Sequence, residues 1–107
     1  MQMGNLFTDA EAPLKGERFD ALLTHRNLVV ERIVSSADTA PTEYVQDQDE
    51  WVVLLRGEAT LEIADRSVEL HSGDYVFLPA GTCHVVRCVT DGALWLAMHL
   101  FPSPAKG

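Results

Sequence analysis

Cysteine is scarce in this chain: 107 residues carry two, Cys83 and Cys88. Two thiols cannot build a disulfide framework. On one continuous strand, residues five apart point to opposite faces, so these two are not expected to pair. Free thiols fit a reducing compartment, and a cytoplasmic location is expected. Basic residues are scarce as well. Eight Lys and Arg stand against sixteen Asp and Glu, for a formal net charge of −8. That balance argues against nucleic acid and anionic membranes as partners. An anionic substrate would need a local metal or arginine to overcome the field. No apolar run approaches the ~20 residues a membrane helix needs. The start, MQMGNLFTDAEAP, lacks a basic stretch followed by an apolar one, so no secretion signal is expected. Internal repeats, low-complexity tracts, a Gly-x-Ser-x-Gly elbow, a phosphate loop and a dinucleotide fingerprint are all missing. Nucleophilic catalysis and an organic cofactor therefore have no support.

What is present is an ordinary apolar fraction, 47%, in a length that suits one domain with one modest core. Residues 1–16 read as irregular, with Pro13 and Gly16 as breakers. GERFDALLTHRN reads as a short helix, with Phe19, Leu22 and Leu23 on one stripe. Residues 1–27 thus form an N-terminal segment. From Leu28 the pattern becomes one of short strands: LVVERIVSS, TEYVQ, WVVLL, EATLEIA, SVELH, YVFLPA, HVVRCV and ALWLAMHLF. Turn signals fall between them at Gly57, Asp65-Arg66, Gly73-Asp74, Pro79 with Gly81, and Asp91-Gly92. Short strands with turns every eight to twelve residues predict an all-β sandwich or barrel over residues 28–101. The tail PSPAKG, residues 102–107, is expected to be loose.

Side-chain parity puts Glu50, Val52 and Leu54 on one face of a strand, and Trp51, Val53 and Leu55 on the other. Both faces are apolar, so both are expected to be covered. One cover is the barrel interior. The other is a second sheet or a partner subunit, the latter making a homodimer, or else the N-terminal segment.

The stretch GDYVFLPAGTCH carries Gly73, Pro79, Gly81 and His84 in the register of the second motif of the cupin superfamily. Glu50, six residues and Gly57 match the latter half of the first motif. The chain therefore resembles a small single-domain cupin. The resemblance implies a double-stranded β-helix, the jelly-roll barrel, which in many members holds a metal in its mouth. The two histidines of the first motif fall at Tyr44 and Gln46, its leading glycine is missing, and the asparagine closing the second motif is replaced by Cys88.

By that resemblance the metal-ligand candidates are Gln46, Glu50 and His84, with His99 on the last strand as possible further help. They would suit a divalent transition metal: Zn, Fe, Mn, Ni or Cu. Glu50 is the candidate catalytic group, since a buried carboxylate must be paired, protonated or metal-bound, and such a group moves protons. Tyr44 and Cys88 are candidates for lining the same pocket, Cys88 because it shares parity with His84. His99 reads equally as a hydrogen-bonded core or interface histidine, and Cys88 as a small buried apolar residue. Asp47 and Asp49 read as a solvated turn, with cation binding as the alternative. Three functions remain open: a metal-dependent dioxygenase, isomerase or lyase acting on a small organic molecule; a metal-free ligand-binding or sensor barrel; and a dimeric accessory protein with a vestigial pocket.

Overall fold

A computed structural model describes residues 1–103 of the chain. It holds nine strands: β1 Glu17–His25, β2 Leu28–Ser35, β3 Glu43–Tyr44, β4 Asp49–Arg56, β5 Ala59–Ile63, β6 Arg66–Leu70, β7 Tyr75–Leu78, β8 His84–Val89 and β9 Ala93–Leu100. They form two antiparallel sheets, ordered β1-β2-β9-β4-β7 and β3-β8-β5-β6. The all-β expectation holds. No helix long and apolar enough to cross a membrane occurs among the described residues. Of the tail expected to be loose, residues 104–107 lie outside the described residues.

The helix expected over residues 16–27 is instead β1. It pairs with β2 through Phe19↔Ile33, Ala21↔Glu31 and Leu23↔Val30. The register slips by one residue at Leu22, which is a β-bulge. The bulge explains the misleading pattern. An extra residue in an alternating strand sets Phe19, Leu22 and Leu23 at spacings of three and four, which imitates a helical stripe. Elsewhere the turn chemistry matches the chain. Ala64 and Asp65 both have positive φ, the two-residue hairpin that joins β5 to β6. Gly57 must be glycine on two counts: its φ is +99°, and a Cβ there would meet Thr90 Oγ1 at 2.6 Å.

The inward faces of the two sheets pack into a core that includes Val52, Leu54, Leu61, Leu70, Leu78 and Trp95. A second small cluster, Val34, Leu94 and Ala10 with Leu55 against it, lies where the N-terminal segment crosses the sheet. Arg32 fastens that segment. Its guanidinium donates to the carbonyls of Leu6 (2.9 Å) and Thr8 (2.6 Å) and to Asp20 Oδ2 (2.8 Å). Burial works to raise the Asp20 pKa, but the hydrogen bonds and charges of Arg32 and Arg18 outweigh it and hold that carboxyl below its ordinary range. The segment thus covers one end of the outer face. At the other end Tyr75, Phe77, Met98 and Leu100 stay exposed, beside a Trp51 ring tilted against Tyr75 at 5.4 Å.

Candidate functional site

Polar side chains that point inward collect at one end of the barrel. Glu50 is the second residue of β4, and its ladder partners are His99 near the end of β9 and Leu78 at the end of β7. His84 opens β8 and pairs with Tyr44 of β3, and the two rings stack at 5.4 Å. The turn between β7 and β8 joins these pieces. Gly81, at φ +82°, donates its N–H to the Gln46 carbonyl (2.8 Å), and Ala80 donates to Asp49 Oδ1 (2.8 Å). The proline and glycine before His84 therefore clamp the Gln46 segment beside the histidine. Asp49 serves as the acceptor for that turn.

Tyr44, Gln46, Glu50, His84 and His99 line one cavity of about 80 Å³. Val52, Leu61, Leu78, Val86 and Trp95 form its apolar wall, and Phe19, half exposed, stands among its lining residues. At roughly 10–15 Å³ of such space per water, the cavity takes several waters or a small organic molecule. Two carboxylates that were not expected there, Glu17 and Glu31, complete the lining. No lysine or arginine is among the lining residues.

Each carboxylate has a distinct environment. Glu17 Oε2 accepts from the Ser35 hydroxyl (2.7 Å), whose oxygen accepts from Trp95 Nε1–H (3.1 Å). Glu31 Oε1 meets His99 Nε2 at 2.9 Å, and the other ring nitrogen of His99 meets Gln48 Nε2 at 3.3 Å. Glu50 is 6% exposed, and its Oε1 has no hydrogen-bond partner. Burial pushes the Glu50 pKa above its ordinary value, and the charge of Glu31 adds to the rise. His99, His84 and the Gln46 amide pull the other way without reversing it. For His99, burial works to lower the pKa, but Glu31 and Glu50 prevail and hold it above its ordinary value. The Tyr44 hydroxyl is pushed up by burial and by the charges of Glu17 and Glu50.

Of the candidate site residues, Tyr44, Gln46, Glu50, His84 and His99 come together, and Cys88 does not. Cys88 is exposed and lies outside the cavity. The reason is another bulge. Leu61 pairs with Val86 but Thr60 pairs with Cys88, so Arg87 is an extra residue in β8 and the parity from His84 breaks there. Glu31 was legible in principle, as a lone acid of the same parity as Val29 and Ile33 in LVVERIV. Glu17 carried no signal, because no strand was expected around it.

The pattern of the cupin domain family matches residues 29–99, well over half of the chain. This protein is a cupin. Solved structures agree. One from Ralstonia eutropha JMP134, provisionally named a mannose-6-phosphate isomerase, is 34% identical, with a TM-score of 0.82 over 94% of this chain and 99% of that one. An RmlC-like cupin from Methanocaldococcus jannaschii with a double-stranded β-helix fold is 13% identical, with a TM-score of 0.73 over 94% and 90% of the two chains. KdgF from Halomonas sp. is 17% identical, with a TM-score of 0.73 over 85% and 82%. No protein of curated function matches the chain.

Cupins commonly hold a transition metal, and this donor set fits one poorly. Tyr44 and Gln46 stand where the family places two imidazoles. Both nitrogens of His99 are engaged, by Glu31 and Gln48. That leaves Glu50 and His84 with a neutral amide. Among the described residues, no three His, Cys, Asp or Glu side chains converge as a ligand group. A transition metal needs more nitrogen, sulfur or carboxylate donors than this.

Proposed function

We propose that this cupin binds a small organic molecule without a resident metal, with Glu50 as the polar anchor of the pocket. The observation that carries the reading is Glu50 Oε1, buried at the cavity without a partner. A buried polar group left so costs about 1–3 kcal/mol, and more when it is charged, a cost that a ligand supplying a donor relieves. The apolar wall supplies area for contact, and His84 and Tyr44 supply a stacked, ordered side. A phosphosugar, the kind of substrate in the name of the Ralstonia protein, suits this pocket badly. It would bring negative charge to Glu17, Glu31 and Glu50 with no lysine or arginine to receive it.

A second reading, proton transfer on the bound molecule as in an isomerase or lyase, is favoured by one observation. Glu50 and His99 are ladder neighbours, and burial raises the Glu50 pKa above its ordinary value, toward the range in which a carboxyl exchanges protons at working pH. The cytoplasmic location and the homodimer belong to the same proposal. For the dimer, the exposed face around Trp51, Tyr75, Phe77 and Met98 carries no charge on those residues in a chain of net charge −8. A second copy meets it with little like-charge repulsion.

Elemental analysis of protein purified without a nickel column tests the metal-free reading. The expected metal content is far below one atom per chain, with a melting temperature that added zinc, manganese or nickel leaves unmoved. Stoichiometric metal that disappears in Glu50→Gln and His84→Ala variants would overturn it.

A further inference from the structure

We infer that the ligand is a small organic cation, an amine whose ammonium group sits against Glu50. This rests on the reading of the cavity as a ligand pocket and names the chemical class that the pocket selects.

Glu17, Glu31 and Glu50 share one cavity of about 80 Å³ whose lining has no lysine or arginine. Two of the three are already served. Ser35 donates to Glu17, and His99 pairs with Glu31. Glu50 is not. It is more than nine-tenths buried, and its Oε1 is closed to solvent and without a donor. The protein offers candidate donors nearby in Tyr44, Gln46 and His84, and none of them meets that atom. That atom is closed even to water, so a donor arriving from outside meets it only once the Glu50 side chain turns toward the cavity.

Charge narrows its nature. Beside the Glu31–His99 pair, Glu17 and, wherever it is ionised, Glu50 leave the pocket with an excess of negative charge. An anion is repelled. A neutral hydroxyl supplies a donor but leaves the charge unbalanced, and burying unbalanced charge is costly. A primary ammonium supplies both, with three N–H donors on a compact cation. Aromatic rings attract cations through their faces, and Tyr44, Trp95 and Phe19 are in the lining. A bare metal ion is disfavoured by the shortage of donors already described, whereas an alkylammonium carries apolar carbon for the wall of Val52, Leu61 and Leu78.

The test uses amide NMR of the full chain titrated separately with propylammonium, propanol and propionate, equal in size and different in charge. Propylammonium is expected to shift the resonances of Glu50, His84 and the Trp95 indole N–H. Its dissociation constant should be at least about tenfold below that of propanol. Propionate should shift none of them. In Glu50→Gln the preference for propylammonium over propanol should vanish. Should that variant not fold, the wild-type ranking of the three probes decides alone. The inference is overturned, with the pocket reading intact, if propanol matches propylammonium, if propionate binds as well, or if Glu50→Gln keeps the preference. It is overturned in favour of a metal if zinc chloride alone shifts the same resonances more tightly. If no probe moves them, the pocket reading falls with it.

Discussion

Glu50→Gln is expected to stabilise the protein at neutral and alkaline pH, and to do nothing in acid. The carboxyl is 6% exposed and its Oε1 lacks a donor, so ionisation there removes charge from water with little in return. Burial accordingly raises its pKa above the ordinary value of 4.5. In the unfolded chain the group titrates near that ordinary value. Between the two values the folded state keeps a proton that the unfolded state has released. The stability this group contributes is whole below the ordinary value, falls as pH rises through the raised one, and stays lost above it. Glutamine has the same shape and no charge, so it escapes the loss. The gain should be about 1–3 kcal/mol, the usual cost of a buried polar group without a partner. In a domain near this size that is at least about 4 °C in melting temperature per kcal/mol. Urea unfolding of both proteins across a series from about pH 4 to about pH 9 reads it out. The two stability curves should meet at the acid end and part as pH rises. His99 adds a loss of its own around and above its ordinary 6.5, because its pKa is raised too. Glu50 supplies part of that rise, so the neutral slope should also be shallower in the variant. A Glu50→Gln protein less stable than wild type near pH 8, running parallel to it at every pH, would refute the reasoning, because the charge must then have a partner.

Two other features carry predictions. Arg32→Ala should free the N-terminal segment, since this guanidinium holds the Leu6 and Thr8 carbonyls and Asp20. Hydrogen bonds to a charged group put the loss at about 2–3 kcal/mol in urea unfolding, with new protease cleavage among residues 1–16 as a second sign. Phe77→Asp sets a charge in the exposed apolar face without touching the core. Light scattering should report a dimer for wild type and 11.8 kDa for the variant; equal masses would exclude that face as the contact between copies.

Most of the barrel could be read from punctuation. Strands from Leu28 onward lie where turn residues bracket alternating apolar runs, because turns and strand periodicity are local properties. Convergence of Tyr44, Gln46, Glu50 and His84 was legible through the resemblance to the two family motifs, while the Pro79–Gly81 turn by itself fixes only where His84 emerges. Two failures share one physical origin. Counting by twos assumes an uninterrupted ladder, and the bulges at Leu22 and Arg87 each insert one residue. The first disguised a strand as a helix, and the second turned Cys88 outward. What His99 does was hidden for another reason. Its partners Glu31 and Gln48 lie 68 and 51 residues away, and only tertiary pairing brings them to its two nitrogens.

β1 hydrogen-bonds to β2 at the rim of the larger sheet and lies before the stretch that matches the family. Yet it lends Glu17 and Phe19 to the cavity wall. Under the proposed function, part of the selectivity would reside in this edge strand, which pairs with β2 alone. Under the proposed ligand-binding reading, exchanging the half-exposed Phe19 would retune what enters with the packed interior left alone, whereas Glu17 is tied through Ser35 to the buried Trp95. For anyone engineering this scaffold toward new guests, the first strand is the place to begin.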